Sequence, residues 1–342
     1  MPSNLRPTFS AELSSIIRFI RFPLMFCVVL MHTHLPLEND LPQTMVKILF
    51  PRVPIYFLIS AYLFFYSFKG WEWSQYRGKL HRRIFSLLVP YLLCNLFTIL
   101  FYYLVHRIAS GIISPDFENI KHFGMEEWIR AFWNKTDGHP IAYQLWFLRD
   151  LMIMNVFTPM FFLLLNGRIG NVVIILLILN ALFGLTNIQP LNSITWFSVG
   201  AYLALHNIDV VDLLKKSRYV AILLFVIFSA ATLYSNKFAP YSLFFGVFAV
   251  LDVVRLLVNK GIRMPALLTE VAFFLYLFHG CTIMIITKMI VFLSHDNQVC
   301  LTIGYFLTPV LMTIVCVIIY SGLKRLFPTF TNILVGRRMK AI

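Results

Sequence analysis

Charge is scarce in this sequence, and acid scarcer still. Only 13% of the 342 residues are Asp, Glu, Lys or Arg, and just 15 are acidic. A soluble domain carries about 25% charge. With 59% hydrophobic residues and a mean hydropathy of +0.77, the deficit excludes a water-soluble globule and indicates an all-α, polytopic membrane protein. Cysteine is also sparse. The five (Cys27, Cys94, Cys281, Cys300 and Cys316) are scattered, so neither a disulfide framework nor a metal site of recognisable spacing is expected. No internal repeat, low-complexity linker or large soluble domain at either end is read. The whole of 1–342 is taken as a single transmembrane domain. The first apolar stretch is too long for a signal peptide's apolar core and lacks a small-residue cleavage site, so it is read as a mature helix.

What is present is a series of apolar runs. About ten spans are read near 16–35, 46–68, 84–106, 143–165, 171–187, 190–206, 218–235, 239–258, 266–294 and 300–323. With the N-terminus inside, 20 of the 29 Lys and Arg residues fall on the cytoplasmic side, from Arg6 and Arg18 through the Arg77–Arg83 cluster to Arg337, Arg338 and Lys340. That follows the positive-inside rule and places both termini in the cytoplasm. It also accounts for the net charge of +14 without a nucleic-acid partner. The long outer segment 107–142 contains Ser114-Pro115-Asp116 and then a stretch, Met125–Trp133, that reads as an interfacial helix through Trp128, Ile129, Phe132 and Trp133.

Against this background a few polar residues stand out, because ionisable groups at membrane depth are costly and mark pathways or sites. Arg21 and His32 are eleven residues apart in one apolar run. On a helix that is about three turns and about 16 Å of rise, which sets both on one face. His34, rotated by about 200° from His32, is read as interfacial. Ser60, followed by Ala61, sits in the second span, where small residues let helices approach closely. Lys79, Arg82 and Arg83, with Arg77 and His81, form a cytoplasmic cluster before the third span. It suits either a topogenic loop touching anionic lipid or a site for a polyanionic ligand. Asp150, beside Arg149 at the start of the fourth span, either neutralises that neighbour or orients His32. His279 lies mid-span in Phe278-His279-Gly280 and is read as polar support, most simply a helix–helix hydrogen-bonding group.

Five segments carry a family resemblance, in this order: Arg21 with His32 after ten intervening residues; Val53-Pro54-Ile55-Tyr56-Phe57-Leu58-Ile59-Ser60; Arg82-Arg83 with Pro90-Tyr91; Leu145-Trp146-Phe147-Leu148; and Tyr276-Leu277-Phe278-His279. Together they resemble acyltransferase family 3, integral membrane enzymes of about ten helices, over essentially the whole chain. One departure is Ala61, where the family commonly has Gly after Ser. The resemblance implies a bacterial inner-membrane enzyme similar to single-domain O-acetyltransferases of surface glycans. The donor would be cytoplasmic acyl-CoA, acetyl-CoA foremost, with no permanently bound cofactor. The acceptor would be a glycan or lipid-linked glycan. Carried onto this chain, the resemblance makes His32 catalytic and gives Arg21, Arg82, Arg83 and, less directly, Lys79 to the donor. An alcohol attacking a thioester needs a neutral imidazole as base or as transient acyl carrier, and the sequence leaves both open. Two rival classes remain: a transporter or flippase of lipid-linked glycans, which also uses buried His, Asp and Arg, and a non-catalytic scaffold of a glycan-assembly complex.

Overall fold

A computed structural model describes residues 11–49, 52–68, 70–108, 123–135, 138–184 and 189–336. The protein is 85% helical, with no strand among the described residues, as the apolar runs predict. The helices are α1 (Ala11–Met31), α2 (Leu41–Leu49), α3 (Arg52–Phe65), α4 (Trp73–Arg83), α5 (Val89–Ile108), α6 (Met125–Trp133), α7 (Trp146–Val156), α8 (Thr158–Leu165), α9 (Arg168–Phe183), α10 (Gln189–Leu205), α11 (Val210–Tyr234), α12 (Ala239–Asn259), α13 (Ala266–Ser294), α14 (Gln298–Leu326) and α15 (Pro328–Leu334). Among the described residues seven helical segments are long and apolar enough to cross a membrane, or eight if α7 and α8 are one broken span. Large apolar side chains such as Ile175, Leu176, Leu223 and Val226 are exposed. That exposure is a liability in water and natural against lipid.

Each of the ten expected spans contains helix among its described residues, but four of them differ in kind. The 143–165 run is continuous in hydropathy, yet its helix breaks at Phe157, where Pro159 sits in the first turn of α8 and withdraws a backbone donor. The fifth run is only 16 residues as α9, closed by Gly184 in the left-handed conformation at φ +60°, which glycine adopts without strain. The sixth, α10, has 17 residues. The largest difference concerns the basic cluster: Arg77 to Arg83 lie on α4, a helix, and not in a loop. It runs into α5 through a π-helical turn, Ile84–Leu88, giving a continuous span from Trp73 to Val105. Pro90 explains the wide turn. It cannot donate to the Ser86 carbonyl four residues back, so the ladder shifts, with the Val89 amide bonding to the Ile84 carbonyl. The freed Ser86 carbonyl is approached by Gly336, where a Cβ would lie 2.5 Å from that oxygen. Ser114-Pro115-Asp116, Arg6, Arg337, Arg338 and Lys340 lie outside the described residues.

The chain forms two compact units, each assembled from separated segments. The first comprises 1–31, 37–77 and 154–269. Its core contains Ile16, Ile20 and Leu24 of α1, Ile55 and Leu58 of α3, and Phe197 of α10. Here the close approach expected beside Ser60 and Ala61 occurs between α3 and α10. A Cβ on Gly200 would lie 2.1 Å from the Leu58 carbonyl oxygen, so any side chain there would push the helices apart. The second unit comprises 32–36, 78–153 and 270–342. In it Ala131 of α6 clusters with Ile99 and Tyr102 of α5 and with Ile141, while Trp128, Ile129 and Trp133 of α6 stay exposed.

Candidate functional site

His32 and His279, far apart in sequence, belong to the second unit, and their ring centroids are 5.4 Å apart. Tyr143 completes the group. Its ring is 5.0 Å from His32, edge to face, and 6.5 Å from His279. His32 is partly exposed and His279 is fully buried. α1 ends at Met31, so His32 is the first residue past the helix rather than inside it. The helical register with Arg21 therefore holds to Met31, about 15 Å of rise beyond Arg21.

Tyr143 is presented by a short 3-10 turn, Tyr143–Leu145, which two neighbours fix. Asn95 of α5 accepts from the Ala142 amide through Oδ1 (3.2 Å) and donates through Nδ2 to the Tyr91 carbonyl (3.0 Å). The Tyr276 hydroxyl donates to the Gln144 carbonyl (2.8 Å). Gln144 then reaches into α13, its Nε2 donating to the Leu277 carbonyl at 2.9 Å. Glycine at 280 makes room for this, because a Cβ there would lie 2.0 Å from Gln144 Oε1. Further along, α5 and α13 are tied by Cys94 Sγ to the Leu277 carbonyl and by Thr98 Oγ1 to Cys281 Sγ, each at 3.1 Å. All of these contacts are between uncharged groups.

His279 shows its tautomer by its partners. Nδ1 lies 2.9 Å from the Tyr276 carbonyl and 3.2 Å from that of Leu275. Both are acceptors, so Nδ1 carries the hydrogen and, in the neutral ring, Nε2 carries a lone pair. Nε2 is buried and has no hydrogen-bond partner among the described residues; the same holds for Gln144 Oε1 and for the Ser60 hydroxyl in the first unit. A buried acceptor left unmet costs about 1–3 kcal/mol, which calls for an explanation.

Asp150 is placed differently from His32's expected partner. Its Oδ1 accepts from Arg149 Nη2 (2.9 Å) and Nε (3.1 Å). Arg149 Nη1 donates to the carbonyls of Trp133 and Gly138, both at 2.7 Å. The pair thus clamps the chain that leaves α6, and the geometry favours the self-neutralising alternative for Asp150. The candidate donor cations divide by unit. Arg21 in the first is exposed on α1, with its carbonyl accepting from the Tyr56 hydroxyl at 2.9 Å. Lys79, Arg82 and Arg83 in the second lie at the end of α4. Arg82 is exposed, and neither it nor Arg21 pairs with a carboxylate among the described residues.

Sequence reasoning found both histidines but not their pairing, and it missed Tyr143 and Gln144. The signal for Gln144 was a lone amide in an apolar run, matched by a lone glycine after His279. A family model described as an acyltransferase domain matches residues 15–321. No curated protein and no solved structure matches the chain. The match covers most of the sequence, and the chain belongs to acyltransferase family 3, a family of membrane acyltransferases.

Proposed function

We propose that this family member is an O-acyltransferase that moves an acyl group, acetyl foremost, from cytoplasmic acyl-CoA to a hydroxyl of a surface or lipid-linked glycan. It would act in a bacterial inner membrane with both termini in the cytoplasm. The observation that carries the reading is the partly exposed His32 imidazole, set against Tyr143 and His279. In transfer, the hydroxyl oxygen bonds to the thioester carbon, the carbon–sulfur bond breaks, and the hydroxyl proton ends on the departing sulfur. His32 serves that exchange as general base or as acyl carrier. Arg21, Arg82, Arg83 and Lys79 are proposed as contacts for the donor's phosphates, since guanidinium groups match phosphate geometry and hold their charge. Ser60 is proposed as polar support.

The test uses the purified full chain with acetyl-CoA and a lipid-linked glycan. Thiol release matched by acetylated glycan supports the reading, and loss of both in His32→Ala assigns the imidazole. Movement of glycan across vesicles without acetyl-CoA consumption would instead support the flippase class. Neither activity, with assembly partners recovered, would leave a scaffold.

A further inference from the structure

The Nε2 lone pair of His279 has no role in the transfer as described so far. We propose that His279 is a second catalytic imidazole, whose Nε2 takes the proton of the acceptor hydroxyl while His32 carries the acyl group between donor and acceptor. The proposal rests on the acyltransferase reading above. Its support is geometric. Nδ1 is engaged by the Leu275 and Tyr276 carbonyls of its own helix, which sets the orientation of the ring and leaves Nε2 as its free nitrogen. Nε2 is buried with no partner among the described residues, on a residue with 0% exposure and 5.4 Å between ring centres to His32. Most buried polar atoms in a folded protein have a hydrogen-bond partner. His279 keeps an acceptor beside the imidazole that is partly exposed.

Two imidazoles resolve a difficulty that one leaves. In the first half-reaction a His32 nitrogen bonds to the thioester carbon and the carbon–sulfur bond breaks. The remaining His32 N–H proton goes to the sulfur, giving free CoA and a neutral acyl-imidazole. That nitrogen of His32 is now occupied, so the attacking hydroxyl needs another base. In the second half-reaction the hydroxyl oxygen bonds to the acyl carbon and its proton goes to His279 Nε2. The carbon–nitrogen bond to His32 breaks, and the proton passes from His279 to His32. Both rings end neutral, as they began, and the ester leaves.

The half-reactions can be read separately with no glycan present, water acting as a slow acceptor. Purified full chain is given acetyl-CoA and radiolabelled CoA. Exchange of label into acetyl-CoA reports the first half-reaction. Acetyl found on the His32 peptide, and its decay after acetyl-CoA is removed, reports the second. His279→Asn is the informative variant, because its amide N–H stands where Nδ1–H stood while the Nε2 lone pair is gone. The expected result is exchange within threefold of wild type, an unchanged thermal midpoint, and acetyl-His32 decaying about 100-fold more slowly. In His279→Ala, added imidazole should speed that decay. Unchanged decay in His279→Asn overturns the proposal, as does parallel loss of exchange and folding in both variants, which would make His279 structural. Wild-type thiol release with neither exchange nor acetyl-His32 overturns the acyl-carrier pair while leaving the acyltransferase reading intact. Failure of wild type to consume acetyl-CoA with any acceptor defeats both.

Discussion

Two polar groups, one in each unit, are held in different ways. In the first, Glu12, Lys215, Arg218, Asp252, Arg255 and Asn259 join α1, α11 and α12. Asp252, with 0% exposure, accepts from Arg255 Nε at 2.7 Å and Arg218 Nε at 3.0 Å. Glu12 meets Arg255 at 3.6 Å and Lys215 at 3.7 Å and accepts from Asn259 at 2.8 Å. Every charge in the group has an opposite charge beside it, although Arg255 Nη2 itself has no acceptor among the described residues. In the second unit the His32, Tyr143 and His279 group is held through amide, hydroxyl and carbonyl contacts, and His279 Nε2 is buried with no partner among the described residues. A network of matched charges is a strut, because removing one member strands another in a medium that cannot solvate it. A buried imidazole nitrogen with no partner among the described residues is available for chemistry. The positive-inside count treats Lys215, Arg218 and Arg255 as topogenic charge; the structure adds that they are also pairing partners for buried or half-buried acids.

The sharpest way to break this contrast is His32→Ala. Because the imidazole is the proposed reacting group, transfer by the purified chain should fall by about 10³-fold or more, with thermal stability unchanged. His34→Ala, at an exposed neighbour, should stay within about twofold of wild type by the same measure of a catalytic group's contribution. Near-normal turnover in the His32 variant would end the chemical reading of the second unit.

Asp252→Asn is the converse. It leaves Arg218 and the buried Arg255 short of a carboxylate, and should lower stability by about 3–5 kcal/mol, read as a large drop in thermal midpoint. Turnover per folded molecule should remain near wild type. A variant that folds as well as wild type but fails in turnover would show that the first unit's network is functional and the contrast false.

Donor cations give a smaller effect. Arg82→Ala should raise the apparent KM for acetyl-CoA by roughly tenfold, equivalent to about 1.4 kcal/mol, and leave kcat nearly unchanged. Arg21→Ala should behave alike. Lysine at either position keeps charge but loses the bidentate fork, and should fall between. Unchanged KM in both alanine variants would return these arginines to a purely topogenic role.

Much of the fold was legible because long apolar runs in lipid have one economical solution, the helix. Where the reading failed, hydropathy was the wrong signal. Trp73–Arg83 is too polar to look like a span, and only its continuity through the wide turn at Pro90 makes it one. The 143–165 run looks unbroken because Pro159 sits among Phe, Met and Leu. At the site, a lone His in an apolar run flags itself, so His32 and His279 were found. Their proximity was not, since nothing local in either segment encodes which distant helix it will meet. Gln144 was missed for a related reason. Its role depends on a glycine, Gly280, on another helix.

Asp150 offers the finest test, because its reading turns on which neighbour it serves. Its carboxylate binds Arg149, and Arg149 in turn holds the carbonyls of Trp133 and Gly138. The pair is largely buried, with side-chain exposures of 15% and 11%, so Asp150→Asn alone should strand a guanidinium and cost about 1–3 kcal/mol of stability. Arg149→Gln alone should strand the carboxylate and cost a similar amount. If the clamp is the whole role, the double variant Arg149→Gln with Asp150→Asn should regain most of the stability lost by either single change, and kcat should stay within about threefold throughout. The two residues are direct partners, so a double-mutant cycle on thermal stability should give a coupling of about 0.5–3 kcal/mol. A second cycle, pairing Asp150→Asn with His279→Asn and read on decay of the acetyl group from His32, should give no coupling if Asp150 only clamps. Coupling there, with kcat falling in Asp150→Asn at full stability, would mean that the carboxylate acts on the imidazole pair. The imidazole pair would then have a charged member in its network, as the Asp252 group of the first unit has.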